Sequence, residues 1–321
     1  MFYFLLKQYN GPTKANYQHA CIVFAEGLKA LNIKYSSNID YYPDPSGVYL
    51  FTEFPIIPKE TEYIVTGHPE DFKEELTNYS NYKLIIFDSK DEWVRPQSTS
   101  LLQYAHRYFM TTSKLITDRI KPLCFAASNR MLNTIKAQAQ VPWLERNSSI
   151  FWAHRVDNHY LRNIVRDCYN KQNIKYSTFL DNFEQPESIL AQHYWNHTGR
   201  RHSPKYFEEL QKYQYMDAHG GYLNHKDGSI TQWDSWKVWE GLLSGMVVIT
   251  ADLDYYNIKL PFKLEPWVHY VPVRYNHIAD TYTNLERLPD SKKAEIAKKG
   301  QQLALQHCTP LFMAKYIIAQ L

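Results

Sequence analysis

The stretch TQWDSWKVWEGLLSGMVVI, residues 231–249, reads as a loop, a helix and a buried strand in immediate succession. Helical spacing runs through WDSWKVWEGLLSG and closes on Gly245, since glycine enters the left-handed conformation that ends a helix at little cost. The next residues, MVVIT, have the continuous apolar character of a buried strand. Upstream, YQYMDAH is strand-like and GGYLNHKDGSITQ is a loop. Strand, loop, helix and strand in that order predict a parallel α/β layer, in which ligands meet the loops at the carboxyl ends of the strands.

The same stretch carries candidate chemistry. Asp234 or Ser235 can cap the helix, and the amides and dipole of its first turn can hold an anion. Lys237, in that turn, would add a point charge to a docked diphosphate. The plainer reading is that Asp234 only caps and Lys237 is solvated. A second strand-to-helix junction lies at WAHRVDNHYLRN, residues 152–163, with Arg155 just past the strand and Arg162 on the helix. Arginine forks suit phosphate oxygens, while surface pairing with Asp157 or Asp167 is the alternative.

Working outward, SIFWAHR, VDNHYLRNIVRDCYNKQ and IKYSTFL predict strand, helix and strand after a linker at VPWLERNSS. The amino-terminal half repeats the theme. A strand over residues 1–10 leads to the helix HACIVFAEGLKALN, then to extended segments at IKYSSNIDYY, EYIVTG and YKLIIFDSKDEW, with a charged helix at HPEDFKEELTNY. Residues 100–140 read as helices, and SKKAEIAKKGQQLALQH and TPLFMAKYIIAQL as two closing helices. The expectation is α/β, with two Rossmann-like domains over 1–145 and 146–321 facing across a cleft. At the end of a strand in the first of these, FDSKDEWVRP (87–96) offers Asp88, Asp91 and Glu92. An aspartate near its ordinary pKa of about 4 is ionised at neutral pH and can accept a proton from an alcohol. A turn with solvated acids is the alternative.

Composition narrows the classes. Of 321 residues, 44% are hydrophobic and 21% charged, which excludes a disordered or fibrous chain. A net charge of +3, from 36 basic and 33 acidic residues, argues against a large nucleic-acid-binding face. The 26 Tyr and 8 Trp supply flat apolar faces that suit sugars and bases but serve cores equally well. Cys21, Cys124, Cys168 and Cys308 form no CxxC pair, so reduced thiols are expected. No apolar run reaches membrane-spanning length and MFYFLLKQYN has too few apolar residues for a secretory leader, which predicts a cytoplasmic or soluble chain with no integral membrane segment. His193 and His197 are four apart but have no evident third metal ligand, and His154, His159, His219 and His269 read as structural. His19, at the first strand-to-helix junction, is a secondary candidate base. GxSxG, Walker A and GxGxxG motifs are absent, which removes the usual warrants for serine hydrolase, P-loop and simple dinucleotide readings.

KLEPWVHYVPV, residues 263–273, predicts a short strand held between Pro266 and Pro272. Together, SWKVWEGLLSGMVVIT and LEPWVHYVPV resemble the carboxy-terminal signature of glycosyltransferase family 90, and DSKDEWVRP is similar to that family's amino-terminal aspartate motif. The resemblance covers residues 84–95 and roughly 146–275. It implies a GT-B fold with an acceptor-side domain followed by one that binds a nucleotide-sugar. It also implies inverting transfer of a sugar, glucose or xylose, from a UDP-sugar to a hydroxyl of a glycan or protein acceptor. By that comparison Asp91 is the catalytic base, Arg155 and Lys237 face the diphosphate, and Ser235 lies in the donor-binding turn. The chain departs from the family at Lys237, where arginine is usual, at Trp93, where proline is usual, and in a longer loop from Gly220 to Gln232.

Arg162, Gly221, Asp234 and Glu240 complete the expected donor set, with Asp88, His19 and Glu265 as secondary candidates. With those cations present no metal is required in principle. Two other readings stay open: a nucleotide-sugar epimerase and a non-catalytic carbohydrate-binding protein.

Overall fold

The structure, a computed structural model, describes residues 1–79, 81–89, 105–111, 116–154, 160–179, 185–220, 230 and 233–321. The chain divides into two compact units. The first comprises Met1–Arg130, Asn182–Ser203 and Thr309–Leu321, and the second Met131–Asp181 and Pro204–Cys308.

The described strands of the first unit are β1 (Phe2–Leu5), β2 (Tyr35–Ser37), β3 (Tyr41–Pro43), β4 (Tyr49–Phe51), β5 (Tyr63–Thr66), β6 (Lys83–Asp88), β7 (Ala105–Met110) and β8 (Ile120–Pro122). Six form a parallel sheet in the order β2-β1-β5-β6-β7-β8, while β3 and β4 pair antiparallel. Runs such as FYFL and LIIF are apolar throughout because this sheet is covered on both faces. On one face, Phe24 of helix His19–Ala30 packs edge-on against Phe2 at 5.2 Å and Phe87 at 5.7 Å between ring centroids. On the other, Tyr3, Leu5, Ile64, Ile86 and Tyr108 gather around Phe72 and Leu76.

Two expectations change here. Residues 100–140 were expected to be helical, yet β7 and β8 lie there and only Asn129–Lys136 forms a helix among the described residues. A strand buried on both faces has no alternation to betray it, and its apolar run also fits a buried helix. The boundary at 145/146 also shifts. Asn182–Ser203, with helix Ile189–Thr198, and the last helix, Pro310–Ala319, belong to the first unit. The last helix packs on helix His19–Ala30 so closely that a Cβ on Gly27 would stand 2.2 Å from the Pro310 carbonyl oxygen and 2.5 Å from Ala314 Cβ. Nothing local in TPLFMAKYIIAQL reveals so distant a partner.

The second unit holds β9 (Asn147–Trp152), β10 (Tyr176–Thr178), β11 (Tyr213–Asp217), β12 (Val247–Ala251) and β13 (Val271–Val273), all parallel, in the order β10-β9-β11-β12-β13. Helix Trp236–Leu243 ends as its sequence predicts. Gly245 has φ +68°, its N–H donates to the Leu242 carbonyl at 3.0 Å, and the Met246 N–H donates to the Gly241 carbonyl at 3.0 Å. Those are the two hydrogen bonds of a Schellman cap. Gly241 lets the helix sit directly on the sheet, since a Cβ there would lie 2.7 Å from Val248 Cγ2 and 2.9 Å from Met216 Cγ.

KLEPWVHYVPV is mostly a turn. The Trp267 N–H donates to the Tyr270 carbonyl at 2.8 Å, the His269 N–H to the Glu265 carbonyl at 3.0 Å, and Trp267 has φ +60°. The strand begins only at Val271, and Pro272 sits in it because β13 is the edge of the sheet. All four cysteines are thiols rather than disulfides. Among the described residues no helix is long and apolar enough to cross a membrane.

Candidate functional site

Numbered by chain order within the second unit, its strands run 2-1-3-4-5, so the order reverses between β9 and β11. Chain connections leave in opposite directions from that point, opening a crevice at the carboxyl ends of the two strands. β9 leads there to His154 and β11 to Asp217 and His219, and all three are buried.

They form one hydrogen-bonded cluster. His154 Nε2 lies 2.9 Å from Asp217 Oδ1, and the Tyr169 hydroxyl donates to Asp217 Oδ2 at 2.6 Å. Tyr169 in turn meets the Tyr282 hydroxyl. The His219 backbone N–H reaches Asp217 Oδ1 at 3.3 Å, and His219 Nδ1 lies 2.8 Å from the Tyr275 hydroxyl. Burial pushes Asp217 up, but His219 and His154 beside it, with the hydrogen bonds from His154 and Tyr169, outweigh that and hold its carboxyl below the ordinary carboxylate range. His154 is driven well below the usual imidazole range, first by burial and then by the charge of Lys237, with Arg162 adding to it. Burial also lowers His219, and Arg162 again contributes. The hydrogen bonds from His154 and Tyr169 favour an ionised Asp217, and burial favours neutral imidazoles.

The shared effect on His154 brings together two residues singled out from the sequence, Arg162 on helix Tyr160–Gln172 and Lys237 on helix Trp236–Leu243. Both are largely buried, at 8% and 7% exposure, which corrects the alternative of a solvated Lys237. Ser235 is the N-cap residue of the second helix, but its side chain makes no capping hydrogen bond, and its buried Oγ has no hydrogen-bond partner. Asp234 Oδ1 accepts the Trp239 indole N–H at 2.7 Å, and Glu240, fully buried, accepts from the Tyr206 hydroxyl at 2.7 Å. Glu265 is partly exposed and pairs with Lys263 at 3.2 Å. Asp91, Arg155 and Gly221, all named from the sequence, lie outside the described residues.

The secondary candidates His19 and Asp88 belong to the first unit. Asp88 ends β6, buried, with Oδ2 accepting from the Tyr108 hydroxyl at 2.6 Å. His19 opens helix His19–Ala30, and burial, reinforced by Arg201 and Arg130, lowers it to about 3 despite a contact to the Ala126 carbonyl. So weak a base is poorly matched to taking a proton near neutral pH. His197, with His193 on the same helix, lies against Tyr41, and among the described residues no group of three or more His, Cys, Asp or Glu could hold a metal ion.

Asp217, Tyr169, Tyr275 and Tyr282 were not singled out from the sequence, and His154 and His219, expected as structural or hydrogen-bonding residues, are hydrogen-bonded here. An acid closing the strand YQYMD, just ahead of a loop, was the available signal for Asp217.

Solved structures share this architecture over nearly the whole chain. An alpha-glucosyltransferase in complex with UDP and a 13-mer DNA containing an HMU base superposes with a TM-score of 0.63 at 11% identity, covering 99% of this chain and 98% of that one. Anabaena Alr3699/HepE in complex with UDP gives 0.55 at 13% identity, covering 99% of each chain. The E. coli trehalose-6-phosphate protein bound with UDP-2-fluoro glucose gives 0.58 at 9% identity, covering 99% of this chain and 98% of that one. The fold is GT-B. At these identities the likeness is one of fold. No family model matches the sequence, and no curated protein matches it.

Proposed function

We propose that the protein is a UDP-sugar-dependent glycosyltransferase that moves a sugar to an acceptor hydroxyl. The observation that carries this is the placement of two buried cations, Arg162 in the first turn of the helix after β9 and Lys237 in the first turn of the helix after β11, in the unit whose switch point holds the His154–Asp217 pair at the ends of those strands. A GT-B fold held in common with structures that contain UDP or a UDP-sugar supports the same reading.

In this scheme Lys237, Arg162, Arg155 and the first amides of helix Trp236–Leu243 neutralise the departing diphosphate. Ser235 Oγ, buried and without a hydrogen-bond partner, adds a donor at the same helix start. Gly221 is a donor-binding candidate from the sequence, while Asp234 and Glu240 fix the helix through Trp239 and Tyr206. Asp91, three residues beyond β6 in sequence, takes the proton of the acceptor hydroxyl as that oxygen attacks the anomeric carbon. Direct displacement inverts the anomeric centre. The charge on the leaving group is met by side chains and amides, so no step calls for a divalent metal.

The family 90 likeness of SWKVWEGLLSGMVVIT and DSKDEWVRP favours glucose or xylose as the sugar, with a glycan or protein as acceptor. A nucleic-acid acceptor, set aside on net charge, returns as a second reading because the glucosyltransferase structure at a TM-score of 0.63 holds DNA with an HMU base.

The test is incubation with UDP-glucose, UDP-xylose and other UDP-sugars, each with glycan, peptide and hydroxymethylated DNA acceptors. Free UDP with a glycosylated product supports transfer. An altered sugar nucleotide would instead indicate an epimerase, and binding without turnover a carbohydrate-binding protein.

A further inference from the structure

Two ring nitrogens of the cluster at the switch point, His154 Nδ1 and His219 Nε2, are buried without a hydrogen-bond partner; His219 Nε2 lies 3.5 Å from Asp217 Oδ1, whereas the state of His154 Nδ1 is fixed by a close neighbour on the other side of its ring. His154 Nε2 faces Asp217 Oδ1 at 2.9 Å. A carboxylate oxygen only accepts, so Nε2 carries the proton. The remaining ring nitrogen, Nδ1, then carries a lone pair unless the ring is charged. The side chain is 0% exposed, and burial with Lys237 and Arg162 outweighs the pull of Asp217 toward a charged ring. Nδ1 is buried and has no hydrogen-bond partner. A buried acceptor left unmade is costly, which marks this nitrogen as a contact point for a ligand.

The identity of that ligand group follows from the lone pair. Phosphate oxygens carry no proton to give at neutral pH and belong with Lys237, Arg162 and the helix amides. A sugar or ribose hydroxyl has a proton to donate. We propose that His154, held by Asp217, accepts a hydrogen bond at Nδ1 from a hydroxyl of the nucleotide-sugar donor, and so reads the donor's hydroxyl pattern separately from its phosphates. This rests on the functional reading above. Asp217 is a positioning residue: Oδ1 is occupied by His154 and the His219 amide, and Oδ2 by Tyr169, which Tyr282 steadies. The carboxylate thereby fixes both the ring's orientation and its tautomer.

The experiment is a cycle of protein and ligand changes, read as dissociation constants by titration calorimetry. The ligands are UDP-glucose, its single deoxy-sugar analogues, UDP and 2′-deoxy-UDP, so that sugar and ribose hydroxyls are separated. The proteins are the wild type, His154→Phe and Asp217→Asn. In the last, Tyr169 keeps its acceptor if the amide oxygen faces it, the amide N–H then faces His154, and Nδ1 must become the protonated nitrogen. The wild type is expected to lose about tenfold in affinity when one particular hydroxyl is removed and His154→Phe to be indifferent to that hydroxyl, while in Asp217→Asn the same hydroxyl would have to turn and accept from Nδ1–H. In the wild type alone, the His154 Nδ1 nitrogen resonance should be that of an unprotonated nitrogen and should move on binding the complete donor but not the analogue lacking that hydroxyl. Equal hydroxyl losses in the wild type and His154→Phe, or a protonated Nδ1 in the wild type, would overturn the inference while leaving the functional reading intact. A wild type that binds neither UDP nor UDP-glucose would remove the functional reading, and this inference with it.

Discussion

Replacing Lys237 by methionine keeps most of the side-chain length and deletes the charge. Lys237 is 7% exposed and belongs to the first turn of helix Trp236–Leu243, whose N-cap residue Ser235 has a hydroxyl with no hydrogen-bond partner. A hydrogen bond to a charged group contributes about 1.5–3 kcal/mol, and each 1.4 kcal/mol is about tenfold in affinity. UDP should therefore bind about tenfold to about 150-fold more weakly to Lys237→Met. Uridine, which lacks the phosphates, should be almost unaffected. Calorimetric titration of both ligands against both proteins, with thermal melts to establish folding, gives the ratio directly. The variant has a second signature. Lys237 is the largest charge holding His154 down, so its removal should let the His154 pKa rise toward the ordinary value. Equal weakening of UDP and uridine, or no weakening of UDP, would refute the placement of the diphosphate at this helix start.

Other consequences are equally specific. Asp91→Asn should lower the transfer rate by about 10²-fold to 10⁴-fold while leaving UDP affinity unchanged, the pattern for losing a base without losing the donor site; a variant of full activity would pass the role to another group. Mild acid should destabilise the protein through its buried histidines, with Glu26, raised to about 8 by burial, opposing them over the same pH range. His19 is lowered to about 3 and His193 to about 4, both chiefly by burial, so below about pH 6.5 the unfolded chain takes up protons that the folded one refuses at these sites, and their contribution to stability falls as pH falls until those folded values are reached. Between pH 7 and 5 this amounts to about 2 kcal/mol for His19 and somewhat less for the partly exposed His193. Urea midpoints at the two pH values in Glu26→Gln, which lacks the opposing carboxyl, test it, and a midpoint that does not move contradicts it. Gly27→Ala should cost about 1–3 kcal/mol or more, because the new Cβ would stand 2.2 Å from the backbone oxygen of Pro310; an unchanged melting temperature would contradict the packing of the last helix.

Much of the second unit was legible because its signals are local. Gly245 marks the helix end through a conformation that suits glycine, and MVVIT is too apolar and too short for anything but a buried strand or core segment. Arg162 and Lys237 were visible as cations at strand-to-helix junctions, where a parallel sheet gathers its loops. What stayed hidden depends on partners distant in sequence. Asp217 matters through His154, 63 residues away, and through Tyr169, 48 residues away, separations that no spacing rule reaches. β7 and β8 were masked by continuous hydrophobicity, and the place of helix Pro310–Ala319 was set by Gly27 at the other end of the chain. The prolines of KLEPWVHYVPV were a correct sign of an edge, but most of the segment turns: Trp267 adopts a positive φ that its apolar neighbours do not announce.

The central claim is that a UDP-sugar binds at the carboxyl ends of β9 and β11. A crystal structure with UDP-glucose bound examines it most directly. The account predicts the diphosphate against Lys237 and the start of helix Trp236–Leu243, with a donor hydroxyl on His154 Nδ1. A nucleotide seated away from both residues, in a protein that still transfers sugar, would contradict it.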